Sequence, residues 1–396
     1  MQTLAKDISK KGYKYGNLGW IPQDWKITTL KEISKVVRGS SPRPAGSPLY
    51  FNGNYLPWIT VADITGSSNI CLYETKSCLT EEGAKHTRIL KPNTVLLANS
   101  GATLGVPKIL KITAGANDGI AAFLGLKEVT DLYLYYWLQK RTRYLREQVA
   151  PGVGQPNLNT ELIGSLKILL PTLTEQQKIS EILSAWDTAI EKTKQLIEKQ
   201  QRVVKGLMKV LLTGEKRLEG FHGDWETYKI GQLLKFGSGK DYKHLSKGTV
   251  PVYGTGGVMT YVDDYMYEGI SVGIGRKGTI DKPILLKNKF WTVDTLFYTH
   301  SYKNCIPEYI YYLFLTINWK KYNEASGVPS LSKNTLEKIK IRIPPVQEQE
   351  ELVVILNKMD EGIELLEQKL ASLQKQKKGL MQKLLTGEVR VKTKWK

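Results

Sequence analysis

Residues 206–218 read GLMKVLLTGEKRL, and residues 379–391 read GLMQKLLTGEVRV. The offset is 379 − 206 = 173. Without a gap it also carries Pro171 onto Pro344, Glu175-Gln176 onto Glu348-Gln349, and Asp187 onto Asp360. A unit present twice, at so long a period, is a duplication and not a solenoid. Upstream of each copy the pattern is helical. Over Thr174–Leu212, Thr174 and Gln177 form a capping-box signature after Pro171. Ile190, Ile197, Val204 and Leu211 recur every seventh residue, and Ile182, Trp186, Thr193, Gln200 and Leu207 interleave with them. That alternation predicts a coiled-coil seam, with Gly214 as its stop. In the second copy Ile363, Leu370, Lys377 and Leu384 form one row, and Met359, Leu366, Leu373 and Leu380 the other. Its start is weaker, because Gln347 replaces the capping threonine. Each stripe needs a partner. The other copy is the nearest candidate, and the alternative is the globular region attached to each helix.

The repeat divides the chain into an N-terminal arm (1–20), a strand-rich region (21–171), a long central helix (172–217), a second strand-rich region (218–344), a C-terminal long helix (345–388) and a basic tail (389–396). The two strand-rich regions correspond loosely. Trp25 matches Trp225 at an offset of 200, Pro57 matches Pro251 at 194, and Asp118 matches Asp294 at 176. Tyr135-Tyr136 matches Tyr311-Tyr312 at 176, and Leu158 matches Leu331 at 173. The shrinking offset places loop insertions in the first region. Thr94–Ala98, Ile270–Ile274 and Leu166–Leu170 read as strands, and the Tyr-rich stretches Leu132–Gln139 and Glu308–Leu315 as short helices whose tyrosines are core.

The chain has 396 residues, 41% of them hydrophobic, and a formal net charge of +19. Such an excess points to a polyanionic partner, through long-range attraction and counterion release. Three cysteines cannot all pair, and Cys71 and Cys78 lack a second pair for zinc, so a reducing, cytoplasmic setting is expected. No signal-peptide core stands at the N-terminus, and apolar runs such as Ile310–Leu315 are too short to span a membrane.

Chemistry-bearing motifs fail on inspection. GIGRKG (273–278) fits a dinucleotide pattern, but TIDKPILLKNKFW follows it without helical periodicity, so a strand–turn–strand with Arg276-Lys277 at its tip is the better reading. GSGKD (237–241) lacks the hydroxyl residue and the earlier glycine of a P-loop. IPPV (343–346) is close to the Pro-Pro tetrad of amino-methyltransferases, but Ile343 and Val346 fit neither outer role, and Pro344-Pro345 reads as a strand end. His86, His222, His244 and His300 are scattered, and Asp263-Asp264 reads as a turn. No catalytic and no metal-binding residue is expected.

What remains is polar, basic and carried on loops. The first region offers Arg38, Ser40, Ser41 and Arg43, then Asn52 and Asn54, then Asn99, Ser100 and Thr103. The second offers Lys240, Tyr242 and Lys243, then Tyr253 and Thr255, then Arg276, Lys277 and Thr279. Arg and Asn side chains can read base edges, while Lys, Ser, Thr and backbone N–H groups can hold phosphates. Any one of these loops could equally be a solvated turn. Their recurrence at matching places favours a DNA-binding surface.

The two GLM–LLTGE helices, the E-Q pair after each proline, the DW opening each strand-rich region and the YGTGG…GRKGTI…FWTVDT series together resemble the specificity subunit of type I restriction–modification systems. The likeness covers nearly the whole chain. It implies a mixed α/β (α+β) fold with a pseudo-two-fold internal repeat: two target-recognition domains, 21–171 and 218–344, separated by two long antiparallel coiled-coil helices. It implies a non-catalytic subunit that reads a bipartite, asymmetric site on double-stranded DNA. The helices would dock two modification subunits, and restriction subunits would join. S-adenosylmethionine, ATP and Mg would belong to those partners, with no cofactor in this chain. Arg276, Lys277 and Thr279 would lie in the glycine-rich recognition loop, with Ser100, Gly101 and Thr103 as its first-domain counterpart, where Ser100 replaces a basic residue. Two other classes stay open: a self-sufficient DNA methyltransferase, and a coiled-coil scaffold that binds no DNA.

Overall fold

The computed structural model describes residues 11–16, 19–66, 68–101, 103–149 and 157–392. Residues 1–10 and 17–18 of the expected N-terminal arm and residues 393–396 of the basic tail lie outside them. The chain divides into two compact units, Met1–Lys192 with Ala371–Lys396, and Thr193–Leu370. The long helices run over Leu173–Leu211 and Val346–Leu384, 39 residues each. Each unit therefore holds one strand-rich region and part of both helices. Of the expected seam residues, Ile190, Ile197, Val204, Leu211, Thr193, Lys377 and Leu384 are buried, while Ile182, Trp186, Gln200, Leu207, Met359, Ile363, Leu366, Leu370, Leu373 and Leu380 are half-buried.

The central helix starts two residues earlier than its capping signature predicts. Thr172, not Thr174, is the capping residue: its hydroxyl accepts from the Glu175 N–H at 3.3 Å, and its carbonyl from the Gln176 N–H at 2.9 Å. Both threonines precede an acid or amide by three residues. The one next to Pro171, still in extended chain, takes the cap.

In the first unit a five-stranded sheet runs in the order Lys35–Arg38, Ile120–Leu124, Val95–Ala98, Pro107–Leu110, Cys71–Leu72. A four-stranded sheet runs Ser77–Leu79, Phe51–Ile59, Ala114–Ala116, Ile89–Leu90. The second unit repeats this frame. One four-stranded sheet has the order Lys235–Ser238, Leu296–His300, Ser271–Gly275, Ile284–Leu286. The other has Gly257–Val262, Lys247–Gly254, Lys289–Thr292, Tyr267–Glu268. The first unit adds the helices Val61–Thr65 and Glu81–Lys85, where the second has only the hairpin strand Gly257–Val262 and the short strand Tyr267–Glu268. This is the insertion that the falling offset announces.

The Tyr-rich stretches form helices Asp131–Tyr144 and Pro307–Thr316, and Tyr133, Tyr136, Tyr309 and Tyr312 are buried in the cores as expected. Each helix is tied to a long one by the same bond. Tyr136 donates to Asp187 at 2.8 Å, and Tyr312 to Asp360 at 2.8 Å. Both long-helix starts are locked by an amide. Gln176 donates to the carbonyls of Glu128 and Pro171 and accepts from the Thr130 N–H. Gln349 donates to those of Asn304 and Pro344 and accepts from the Ile306 N–H. In the first unit Glu175 meets Arg390 at 2.6 Å and Asp187 meets Lys377 at 2.6 Å, so the helix portions there run antiparallel. In the second, Val204 and Met208 share a core with Leu352 and Leu356.

Candidate nucleic-acid interface

In each unit the recognition-type loops converge on one tight turn. In the first this is Ala116–Gly119. The Ser40 N–H donates to the Ala116 carbonyl at 2.9 Å, the Asn117 N–H to Ile59 at 3.0 Å, and the Asn99 N–H to Gly119 at 3.0 Å. In the second it is Thr292–Thr295. There the Lys240 N–H donates to Thr292 at 2.9 Å, the Val293 N–H to Tyr253 at 3.0 Å, and the Arg276 N–H to Thr295 at 2.8 Å. These bonds correspond one for one. The first loop passes so close that a Cβ on Gly39 would stand 2.1 Å from the Asn117 carbonyl oxygen, and one on Gly239 2.0 Å from that of Val293. Glycine is needed at both places for this approach. A fourth segment closes each cluster: the Leu158 N–H donates to Asn99, and the Leu331 N–H to Arg276, each at 2.8 Å.

The frames match, but the charges on them do not. In the first unit the exposed guanidiniums of Arg38 and Arg43 come from the first loop. Asp118 gathers them. Arg38 Nε donates to its carbonyl, Arg43 approaches its carboxylate at 3.4 Å, and the Ser41 hydroxyl donates to the same carboxylate at 2.7 Å. The Ser41 hydrogen bond, aided by the two arginines against a modest burial penalty, holds the Asp118 carboxyl below the usual aspartate range. In the second unit the exposed cations are Lys240 and Lys243 on the first loop and Arg276 and Lys277 on the turn after strand Ser271–Gly275. Arg276 donates to the carbonyl of Asp294, the residue matching Asp118, at 3.4 Å.

Ser40 is exposed, and Ser41, Ser100, Thr103, Thr255 and Thr279 are half-buried. Tyr242 and Tyr253 are half-buried. Tyr253 stacks edge-on to Phe290, with centroids 6.4 Å apart, and burial raises its phenol above the ordinary value. Three expected side chains are not presented at the turn. Asn99 is fully buried beneath its loop, at the position that carries Arg276 in the second unit. Asn52 and Asn54 are exposed at the start of strand Phe51–Ile59, which reaches the turn only at Ile59. At about 3.3 Å per residue, that is roughly 16 Å from Asn54 and roughly 23 Å from Asn52. The sequence reading missed Arg88, whose guanidinium donates to the Arg38 carbonyl at 3.0 Å, and Lys333 beside Phe297. It singled out Asp118 and Asp294 only as matching positions.

GIGRKG is a strand and turn, followed by strand Ile284–Leu286 and not by a helix, so it offers no helix N-terminus to a phosphate. Among the described residues no group of three or more potential ligands could hold a metal ion, and no helix is long and apolar enough to cross a membrane.

Comparison with known proteins gives a consistent result. The family model described as "Type I restriction modification DNA specificity domain" matches residues 22–200 and 222–375. The chain is 26% identical over 433 aligned positions to the type I restriction enzyme MjaIX specificity subunit of Methanocaldococcus jannaschii, covering 99% of each protein. It is 23% identical over 420 positions to the MjaVIII specificity subunit of the same organism, covering 94% of each. The fold matches the crystal structure of a type I restriction–modification S subunit from M. genitalium with a TM-score of 0.59 at 19% identity, over 94% of this chain and 98% of that one. With one family segment on each strand-rich region, the chain belongs to the type I restriction–modification DNA specificity family, the non-catalytic, sequence-recognising component of such systems.

Proposed function

We propose that each unit reads one half of a split, asymmetric site on double-stranded DNA. The observation that carries this reading is the pair of equivalent turns, each collecting loops whose cations differ in kind and place. Like frames give like modes of approach, and unlike loops give unlike half-sites. Lys240 and Lys243 are suited to phosphates, and Arg38, Arg43, Arg276 and Lys277 to base edges as well. Two modification subunits dock on the long helices and carry adenine methylation with S-adenosylmethionine. Restriction subunits add ATP- and Mg-dependent cleavage. This chain supplies the address and no chemistry.

Gel shifts of the chain assembled with its modification partner, over a series of salt concentrations, test the reading. Binding of a cognate duplex should fall steeply with salt, while specificity over a scrambled duplex persists. Calorimetry on the chain alone should show no heat of S-adenosylmethionine binding. Micromolar binding there would favour the self-sufficient methyltransferase instead.

A further inference from the structure

We infer that Asp118 is a positioning residue for base reading in the first unit: its turn fixes the Arg38 and Arg43 guanidiniums in the orientation they present to one half-site. The inference rests on the bipartite reading above and deepens it. Arg38 and Arg43 are exposed, with side-chain exposures of 48% and 71%. Unrestrained, such side chains sample many rotamers, and ordering them on a base would oppose binding. Here Arg38 is held twice, by Nε on the Asp118 carbonyl and by a terminal nitrogen 3.8 Å from the carboxylate. Its own carbonyl is held in turn by Arg88. Arg43 is held at 3.4 Å on the same carboxylate oxygen. Ser41, between them in sequence, donates to the other oxygen at 2.7 Å and accepts from the Asp118 N–H at 3.3 Å. The loop from Arg38 to Arg43 is thus closed on a single residue, through its carboxylate, carbonyl and N–H.

A second observation sets this role apart from simple charge neutralisation. In the second unit the arginine comes from a different loop, yet Arg276 also donates to the backbone carbonyl of the matching Asp294. Both turns thereby aim an arginine. Among the described residues only the first turn engages the aspartate carboxylate, and only the first has two arginines to aim. Two fixed guanidiniums on one loop suit paired acceptors such as the O6 and N7 of guanine. The first half-site should therefore lean on one or two guanine positions that need Asp118 as well as the arginines.

The test uses the chain assembled with its modification partner and a library of duplexes randomised over both half-sites, with methylated adenines read by sequencing. Wild type is compared with Asp118→Asn and Asp118→Ala. Asp118→Asn keeps the shape of the turn and an acceptor for Ser41 but loses the charge, so a merely structural residue would tolerate it. The expected result is a loss of about tenfold or more in base discrimination, at one or two positions of one half-site, in both variants, with the other half-site unchanged. Unchanged discrimination in Asp118→Asn would overturn the inference while leaving the bipartite reading intact. Equal relaxation in both half-sites would overturn it too. A wild-type complex that methylates without a split motif would overturn the bipartite reading itself.

Discussion

The buried carboxylate of Glu175 accepts the indole N–H of Trp25 at 3.0 Å, and its repeat mate Glu348 accepts that of Trp225 at 3.2 Å. Each carboxylate is forked by an arginine from the other long helix's trailing segment: Arg390 on Glu175, at 2.6 and 2.8 Å, and Arg217 on Glu348, at 2.7 Å twice. The GE–R ending of each repeat thus belongs to the start of the other long helix.

Glu348→Ala should destabilise the second unit by about 1–3 kcal/mol, because it leaves the Trp225 N–H without its acceptor and takes the carboxylate partner from Arg217, whose side chain is only partly buried. Glu175→Ala should do the same to the first unit. Denaturant titrations followed by tryptophan fluorescence check both; a loss below about 1 kcal/mol would make these forks incidental.

Gly39→Ala and Gly239→Ala place a methyl group against backbone carbonyls at 2.1 and 2.0 Å. Each should displace its first loop from the turn at a cost of about 1–3 kcal/mol. Each should also weaken discrimination at one half-site only. Binding competitions with half-site variants measure this.

Arg276→Ala should lower discrimination at the half-site read by the second unit by about 1–3 kcal/mol. If Lys277 holds a phosphate, Lys277→Ala should weaken all sequences alike and reduce the salt slope by about one. Altered preference at both half-sites would contradict the assignment of one half-site to each unit.

Lys140 lines a cavity of about 1090 Å³ in the first unit, together with Arg143, Arg146, Lys375, Lys378 and Met381. Burial, reinforced by Arg141, lowers its amine to about 8 from an ordinary 10.5. The folded value lies below the unfolded one, so between these limits the unfolded chain holds more protons and stability rises with pH. The penalty is fully present below about pH 8 and gone above pH 10.5. Lys140→Met should therefore raise stability by about 1–2 kcal/mol at pH 7, a gain that fades towards pH 10.5. Thermal unfolding at several pH values checks it.

The helices, the seam and the duplication are legible in the sequence because apolar periodicity and a gapless offset are local signals. The capping threonine lies two residues before the one the sequence favours, because Thr172-x-x-Glu175 and Thr174-x-x-Gln177 carry the same signature. The candidate interface was legible only in part. Gly39, Gly239 and the FWTVDT series mark where loops meet. That Asp118 and Asp294 are the meeting points depends on strand pairing across distant residues, which no short window contains. Asn52-Gly53 looks like a loop tip, since Asn52 does adopt a left-handed φ of 60°, but it sits at a strand start. Asn99 looks polar and available, yet it follows the fully buried strand Val95–Ala98 and stays beneath it.

The most direct measurement is the methylated-adenine motif produced by the wild-type chain with its modification partner. The account predicts a single split motif, with two unlike half-sites separated by a fixed run of unspecified bases. Substitutions at Arg38 or Arg43 should alter one half, and those at Arg276 the other. A continuous motif, a palindromic one, or methylation indifferent to both sets of substitutions would contradict it.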